Sequence, residues 1–176
     1  MIIVEGCDNT GKTTLVTKLA QDLRLISVNN RKRPQSRQES EDYLHALLPL
    51  VKSHPTIFDR WQPISEPIYG PICRNTRILP FDAMEAQHQI LSDAIRRPGP
   101  LVIYCRPKDS TILNFGDRPQ MSGVIEHAHT LIKEYDAMMP WLHDRWFKVL
   151  HYDFEDPALT YESLVAKIRA HFGATK

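Results

Sequence analysis

The 176-residue chain lacks several features that would assign its class at once. Its three cysteines, Cys7, Cys73 and Cys105, are odd in number, far apart and without metal-ligand spacing. Neither a disulfide framework nor a structural zinc site is expected, and reduced thiols in a cytoplasmic setting are the simplest reading. A formal net charge of only +1 argues against a protein that coats nucleic acid by charge alone. No apolar run is long enough to span a bilayer, and a strand-like run starts at Ile2, so neither a membrane segment nor a secretory leader is expected. The eight histidines are scattered, and His127 and His129 are two apart, on different sides of a helical stretch, so no zinc site or catalytic triad is indicated. Repeats and low-complexity segments are missing too. With 42% apolar and 24% charged residues, the composition is that of an ordinary soluble globule, long enough for one domain over 1–176 with a sizeable core.

The informative residues are concentrated in the first fourteen positions. Ile2, Ile3 and Val4 read as a buried β-strand that runs into Gly6-x-x-x-x-Gly11-Lys12-Thr13, the full G-x-x-x-x-G-K-[ST] phosphate-loop pattern. Leu15, Val16, Leu19, Ala20 and Leu23 then recur at helical spacing. Strand, loop and helix come in the order the motif needs. Gly6 and Gly11 let the backbone curl so that successive N–H groups converge on phosphate oxygens, and the N-terminus of the helix adds positive charge there. A triphosphate would therefore be held by Gly6, Cys7, Asn9, Thr10, Gly11, Lys12, Thr13 and Thr14. Lys12 would reach the β- and γ-phosphates, and the Thr13 hydroxyl would ligate Mg²⁺. Cys7 reads as a loop residue, with a reactive thiol as the sharper alternative.

Beyond the first helix, Leu25–Val28 reads as a second strand. The stretch from Asn29 to Arg37 is a polar loop with four basic residues, either a solvated connector or a phosphate-contacting loop. A helix over Glu39–Leu48 is expected to end or bend at Pro49. Thr56–Trp61 is an apolar approach ending in an acid and a base, the kind of strand that delivers charge to the cleft of an α/β fold. The proline-rich stretch 62–80 is expected to be irregular and to cover a site. Asp82 and Glu85 have capping-box-like spacing before a helix running to about Arg97. Leu101–Cys105 is the clearest later strand, with Arg106 at its end and then a short segment from Asp109 to Asn114. A polar turn over Phe115–Gly123 contains Arg118, so that 106–123 reads as lid-like. Val124–Met139 is expected to be helical, Phe147–Tyr152 a strand and Thr160–Phe172 the closing helix. Strands alternating with helices imply a three-layer α/β/α fold around a central parallel sheet of about five strands, with the phosphate loop at its carboxyl edge.

A phosphate loop alone does not separate kinases, GTPases and ATPases. A guanine-reading N-K-x-D is missing, as is an apolar run ending in Asp-Glu. The Asp59-Arg60 pair at a strand end and the arginine-bearing mobile segment suit phosphoryl transfer to a small acceptor.

Val4–Thr14 resembles the E-G-x-D-x-x-G-K-[ST]-T signature of thymidylate kinases and their deoxynucleoside-kinase relatives, and Phe58–Trp61 is similar to their D-R-[YFH] motif. Ser65 and Tyr69 look like the serine and tyrosine of the family's S-x-x-A-Y-Q element, one residue further from Asp59 than usual. The resemblance implies a P-loop nucleotide-kinase fold, ATP with Mg²⁺, and catalytic roles for Lys12, Asp59, Arg60 and Arg118. Asp8 would bond the acceptor's sugar hydroxyl. Asp59 would contact Mg²⁺ or its waters, or orient the attacking group. Arg60 would bridge donor and acceptor phosphates, and Arg118 would be a lid arginine. Arg106 is a candidate donor contact. Trp61 and Tyr69 would stack on a base or pack in the core, with Ser65 beside them on the acceptor side. The family's R-E-P-G-G-[ST] loop has no counterpart in Asn29–Arg37, which points to an unusual acceptor.

The acceptor expected is thus a deoxynucleoside monophosphate, dTMP or a related pyrimidine nucleotide that is natural or modified. A nucleoside or a hydroxymethylated pyrimidine in DNA is the second reading, and a non-catalytic nucleotide-binding module the third. Thymidylate kinases tend to dimerise through a helix face, and the resemblance leaves open whether this chain forms such a homodimer.

Overall fold

The computed structural model describes residues 1–29, 34–95, 98–117, 120–145 and 147–173. Five parallel strands form its centre: β1 (Ile2–Glu5), β2 (Ile26–Asn29), β3 (Thr56–Asp59), β4 (Leu101–Cys105) and β5 (Lys148–Tyr152). They lie in the order β2-β3-β1-β4-β5, with Val4 beside Asp59 on one side and Ile103 on the other. The first strand is therefore central, and the phosphate loop leaves it in the middle of the sheet's carboxyl edge.

Alternate residues of the strands face opposite layers. Ile2, Val4, Ile57, Leu101, Ile103 and Cys105 pack against α1 (Lys12–Asp22) and α7 (Tyr161–Phe172) through Leu15, Val16, Leu19, Leu164 and Ile168. Ile3, Phe58, Val102 and Tyr104 face the larger layer, built from α2 (Arg37–Ser53), α3 (Gln62–Arg74), α4 (Phe81–Ala94) and α6 (Ala128–Arg145). Every residue of β1 and β4 is buried, as both-sided burial in a parallel sheet requires. A short helix, α5 (Asp109–Ile112), comes after β4. The three-layer fold matches the sequence expectation.

Several local expectations need correction. The stretch expected to be irregular is mostly α3. Pro63 sits in its first turn, where the missing N–H costs nothing, whereas Pro67 and Pro71 each remove an interior hydrogen bond. Burial of Ile64, Ile68 and Tyr69 on one face outweighs that loss, so packing overrides propensity. Pro49 likewise lies inside α2, which runs on to Ser53. That helix starts at Ser36, whose Oγ accepts the Glu39 N–H at 3.1 Å. The capping box expected at Asp82 and Glu85 does not form: Pro80 precedes α4, without a side-chain cap. The helix expected from Val124 begins only at Ala128, because 122–127 form turns, and it passes through Pro140 to Arg145. Arg31–Arg33, Arg97 and Arg118 lie outside the described residues, so the basic loop and the lid arginine get no structural account. Among the described residues no helix is long and apolar enough to cross a membrane.

Candidate active site

The loop after β1 turns sharply at Gly6, with φ 140°, and a Cβ there would sit 2.5 Å from the Cys105 carbonyl oxygen. Only glycine lets the loop pass so close to β4. Gly11, left-handed at φ 75°, opens α1. Between them Thr10 Oγ donates to the Cys7 carbonyl at 3.0 Å. Asn9, itself left-handed, donates through Nδ2 to the carbonyls of Thr111 and Asn114, both at 2.7 Å, and so ties the loop to α5 and the turn after it. Lys12 curls back over the loop, and its Nζ donates to the Cys7 carbonyl and, at 3.3 Å, to Thr10 Oγ. Burial, then repulsion from Arg60, lowers the Lys12 ammonium to about 8. An anion in the cleft would favour its charged form and raise that value. Burial pushes the Cys7 thiol up to about 12, so the reactive-thiol alternative fails and the residue serves through its carbonyl.

The end of β3 comes to this loop twice. Thr13 Oγ donates to Asp59 Oδ2 at 2.8 Å. Arg60 has φ 71°, costly for a side-chain-bearing residue, and its N–H donates to the Val4 carbonyl at 3.0 Å. Its guanidinium Nη2 donates to Asp8 Oδ1 at 2.8 Å and to the Tyr69 hydroxyl at 3.0 Å. Nη1 donates to the Tyr135 hydroxyl at 3.0 Å. Tyr69 in turn donates to Asp8 Oδ2 at 2.9 Å. Burial alone would raise the Asp8 carboxyl, but Arg60 and Lys12 hold it below its ordinary value. Asp8 is thus an anchored acceptor on the Arg60 guanidinium, and Asp59 one on the Thr13 hydroxyl.

These groups line a cleft of about 760 Å³ at the carboxyl edge of the sheet. One half is the phosphate loop with Thr14, Thr111, Asn114 and Phe154. The other half is Asp8, Arg60, Gln62, Ser65, Glu66, Tyr69, Arg74 and Met121. Ser65 lines it with its Oγ turned back to the Trp61 carbonyl at 3.3 Å. Trp61 does not line it. The indole is 1% exposed and packs edge-on to Phe58 with centroids 5.2 Å apart, so base stacking by Trp61 is replaced by a core role. The Tyr69 ring, also buried, has the Arg60 guanidinium 4.7 Å from its centroid, which leaves only its hydroxyl for the site. Arg106 turns away from donor contact: it forks onto Asp136 at 2.9 and 3.0 Å and also bonds Asp109 at 2.7 Å.

Four participants were given no role from the sequence. Glu5, fully buried, accepts from the Trp61 N–H at 2.6 Å and the Tyr135 hydroxyl at 3.1 Å. Arg74 and Glu66 form an ion pair at 2.6 Å, their side chains only 10% and 7% exposed. Phe154, half exposed after β5, would be 3.3 Å from a Cβ on Gly11. The Glu66–Arg74 pair, eight residues apart, would have been legible had 62–80 been read as a helix. Glu5 opens the E-G-x-D-x-x-G-K-[ST]-T pattern without a role read for it, and Phe154 carries no spacing signal.

Thr13 and Asp59 offer hard oxygens at hydrogen-bond distance beside the phosphate loop, a donor set that fits Mg²⁺, which takes few protein ligands and completes its octahedron with water and phosphate. No group of three or more His, Cys, Asp or Glu among the described residues could hold a metal by protein ligands alone.

Sheet order, loop and site together give the fold of the P-loop nucleotide kinases. Among solved structures, the chain is similar to the Bacillus subtilis YorR protein in complex with phosphorylated GDP, at 18% identity and a TM-score of 0.71, over 96% of this chain and 95% of that one. It is similar to a deoxyadenosine kinase from M. mycoides with bound dCTP, at 18% identity and a TM-score of 0.60, covering 97% and 100% of the two chains. It is also similar to the thymidylate kinase of Candida albicans, at 11% identity and a TM-score of 0.63, over 96% and 90%. No protein-family model matches the sequence, and no curated protein matches it.

Proposed function

We propose that this protein is an ATP- and Mg²⁺-dependent kinase that transfers a phosphoryl group to a deoxynucleoside monophosphate, dTMP or a related, natural or modified, pyrimidine nucleotide. The observation that carries the reading is the convergence of Asp59 and Arg60 on the phosphate loop, Asp59 on Thr13 and Arg60 on Asp8. The loop N–H groups and Lys12 hold the triphosphate tail, and Phe154 offers a face for the donor base beside Gly11. Asp59 and Thr13 would hold Mg²⁺, which when bound neutralises developing charge on the phosphates. Arg60 swings no further than its fork allows: planar, always charged and fixed by three partners, it can meet oxygens of a phosphoryl group in transit. Asp8, held ionised, accepts a hydroxyl of the acceptor's sugar.

A nucleoside acceptor is the second reading. One observation favours it: Arg60 and Arg74, the described arginines of the acceptor half, are each paired with a carboxylate, so that wall is close to neutral. An ADP-release screen across deoxynucleosides and their monophosphates, natural and modified, tests both. Acceptor-dependent release is expected, largely lost in Lys12→Ala. Release only with nucleosides moves the assignment to the second reading, and ATP turnover indifferent to every acceptor sinks both.

A further inference from the structure

The carboxylate of Glu5 is one residue before the phosphate loop, yet touches no part of the cleft. It is fully buried and only accepts hydrogen bonds when ionised. Its two oxygens go to two different supports of Arg60. Oε1 takes the N–H of Trp61, the residue directly after Arg60, at 2.6 Å. That bond fixes the backbone on the far side of the left-handed turn at Arg60, while the Arg60 N–H bonds the Val4 carbonyl on the near side. Oε2 takes the Tyr135 hydroxyl proton at 3.1 Å, which turns a lone pair of that hydroxyl toward the proton of Arg60 Nη1 at 3.0 Å. The chain of donors runs one way, from Arg60 to Tyr135 to Glu5.

We propose that Glu5 is a positioning residue that locks Arg60 at both backbone and side chain, in the orientation that meets the transferring phosphoryl group. This rests on the kinase reading above. A neutral amide of the same shape cannot do the same. If its oxygen faces Trp61, its NH₂ faces Tyr135 and reverses that link; if it flips, a donor faces the Trp61 N–H. The groups around Glu5 on every side are Lys12 from α1, Arg60 beyond β3, Tyr104 and Cys105 on β4 and Tyr135 on α6. Burial raises its carboxyl to about 7 against the pull of Arg60 and Lys12. Because this value lies above the ordinary one, the folded state loses stability as pH rises from the carboxylate range through about 7. The ionised lock therefore works against stability at neutral pH and above.

The test is Glu5→Gln in the full chain. The expected result is kcat down by about tenfold or more with KM for ATP within about threefold, and a Tm at pH 8 equal to or above that of the unsubstituted protein. The acid limb near pH 7 in kcat/KM for ATP should be absent from the variant's profile. Tyr135→Phe, which cuts only the side-chain arm, should lower kcat less. The double variant should be no worse than Glu5→Gln within about twofold, since both act on one path. Nitrogen-15 NMR of the Arg60 guanidinium, assigned with Arg60→Lys, should show slowed Nη exchange that Glu5→Gln and Tyr135→Phe both lose. Unchanged Arg60 signals, or kcat within about twofold in both variants, overturn the proposal. If Glu5→Gln does not fold, Tyr135→Phe decides by the same two readouts. The NMR needs no substrate, so a protein that phosphorylates nothing sinks the kinase reading while the lock is still judged.

Discussion

The two halves of the cleft are built from different materials. The donor half is backbone: a loop held between Gly6 and Gly11, its Cys7 carbonyl bonded by both Thr10 and Lys12 and its side tied down by Asn9. The acceptor half is side chain: Arg60 suspended between Asp8, Tyr69 and Tyr135, and Arg74 held by Glu66. A backbone cradle recognises any polyphosphate tail and tolerates substitution outside its glycines and Lys12. A cage of paired side chains is shaped by each member, and removing one strands its partner. Sequence change should therefore alter what is phosphorylated sooner than what supplies the phosphate.

Arg74→Ala should break the acceptor half most severely. It leaves Glu66 buried without its cation, which costs on the order of 3 kcal/mol of stability. Thermal or urea unfolding should show that loss. If the folded fraction still binds ATP with unchanged affinity, the halves are energetically separate, and a matching loss of ATP affinity would contradict the contrast. Arg60→Lys is milder in stability but acts on rate. A lysine cannot serve Asp8, Tyr69 and Tyr135 from one plane, so kcat should fall by about a hundredfold with KM for ATP little changed. Full activity in Arg60→Lys would mean that charge alone, without the fork, is enough.

The same contrast explains how much of the molecule is legible in its sequence. The phosphate loop that dominates the donor half is local: residues 6 to 13 carry it, and their spacing is the mechanism. The central sheet is equally open, because β1 and β4 are near-continuous apolar runs of the kind that a doubly covered parallel sheet accommodates. The acceptor half joins residues 52, 61 and 75 positions apart, and no spacing rule connects Arg60 to Asp8, Tyr69 to Asp8 or Arg60 to Tyr135. Prolines mislead directly. Pro63, Pro67 and Pro71 read as loop, yet they lie along a helix whose buried face holds it against α4 and α6. With that helix missed, Glu66 and Arg74 could not be placed on one wall. Trp61 is drawn toward the ligand by its neighbours Asp59 and Arg60, but after the left-handed turn at Arg60 its indole lies in the core against Phe58 and leaves only its backbone N–H for Glu5.

Phe154 gives the smallest effect and the sharpest limit on the contrast. Among the described residues it is the one large apolar group offered to the donor half, half exposed beside Gly11 and with no hydrogen-bonding side chain. If the backbone cradle supplies most donor affinity, a base resting on this ring adds only stacking, worth about 1 kcal/mol. Phe154→Ala should then raise KM for ATP about fivefold, leave kcat and KM for the acceptor unchanged, and flatten any preference between ATP and GTP. A rise in acceptor KM instead would place Phe154 on the other side of the transferring phosphate. Because the ring is exposed, its loss costs little stability, so an unfolding midpoint that moves with it would show that Phe154 packs against the loop rather than the ligand.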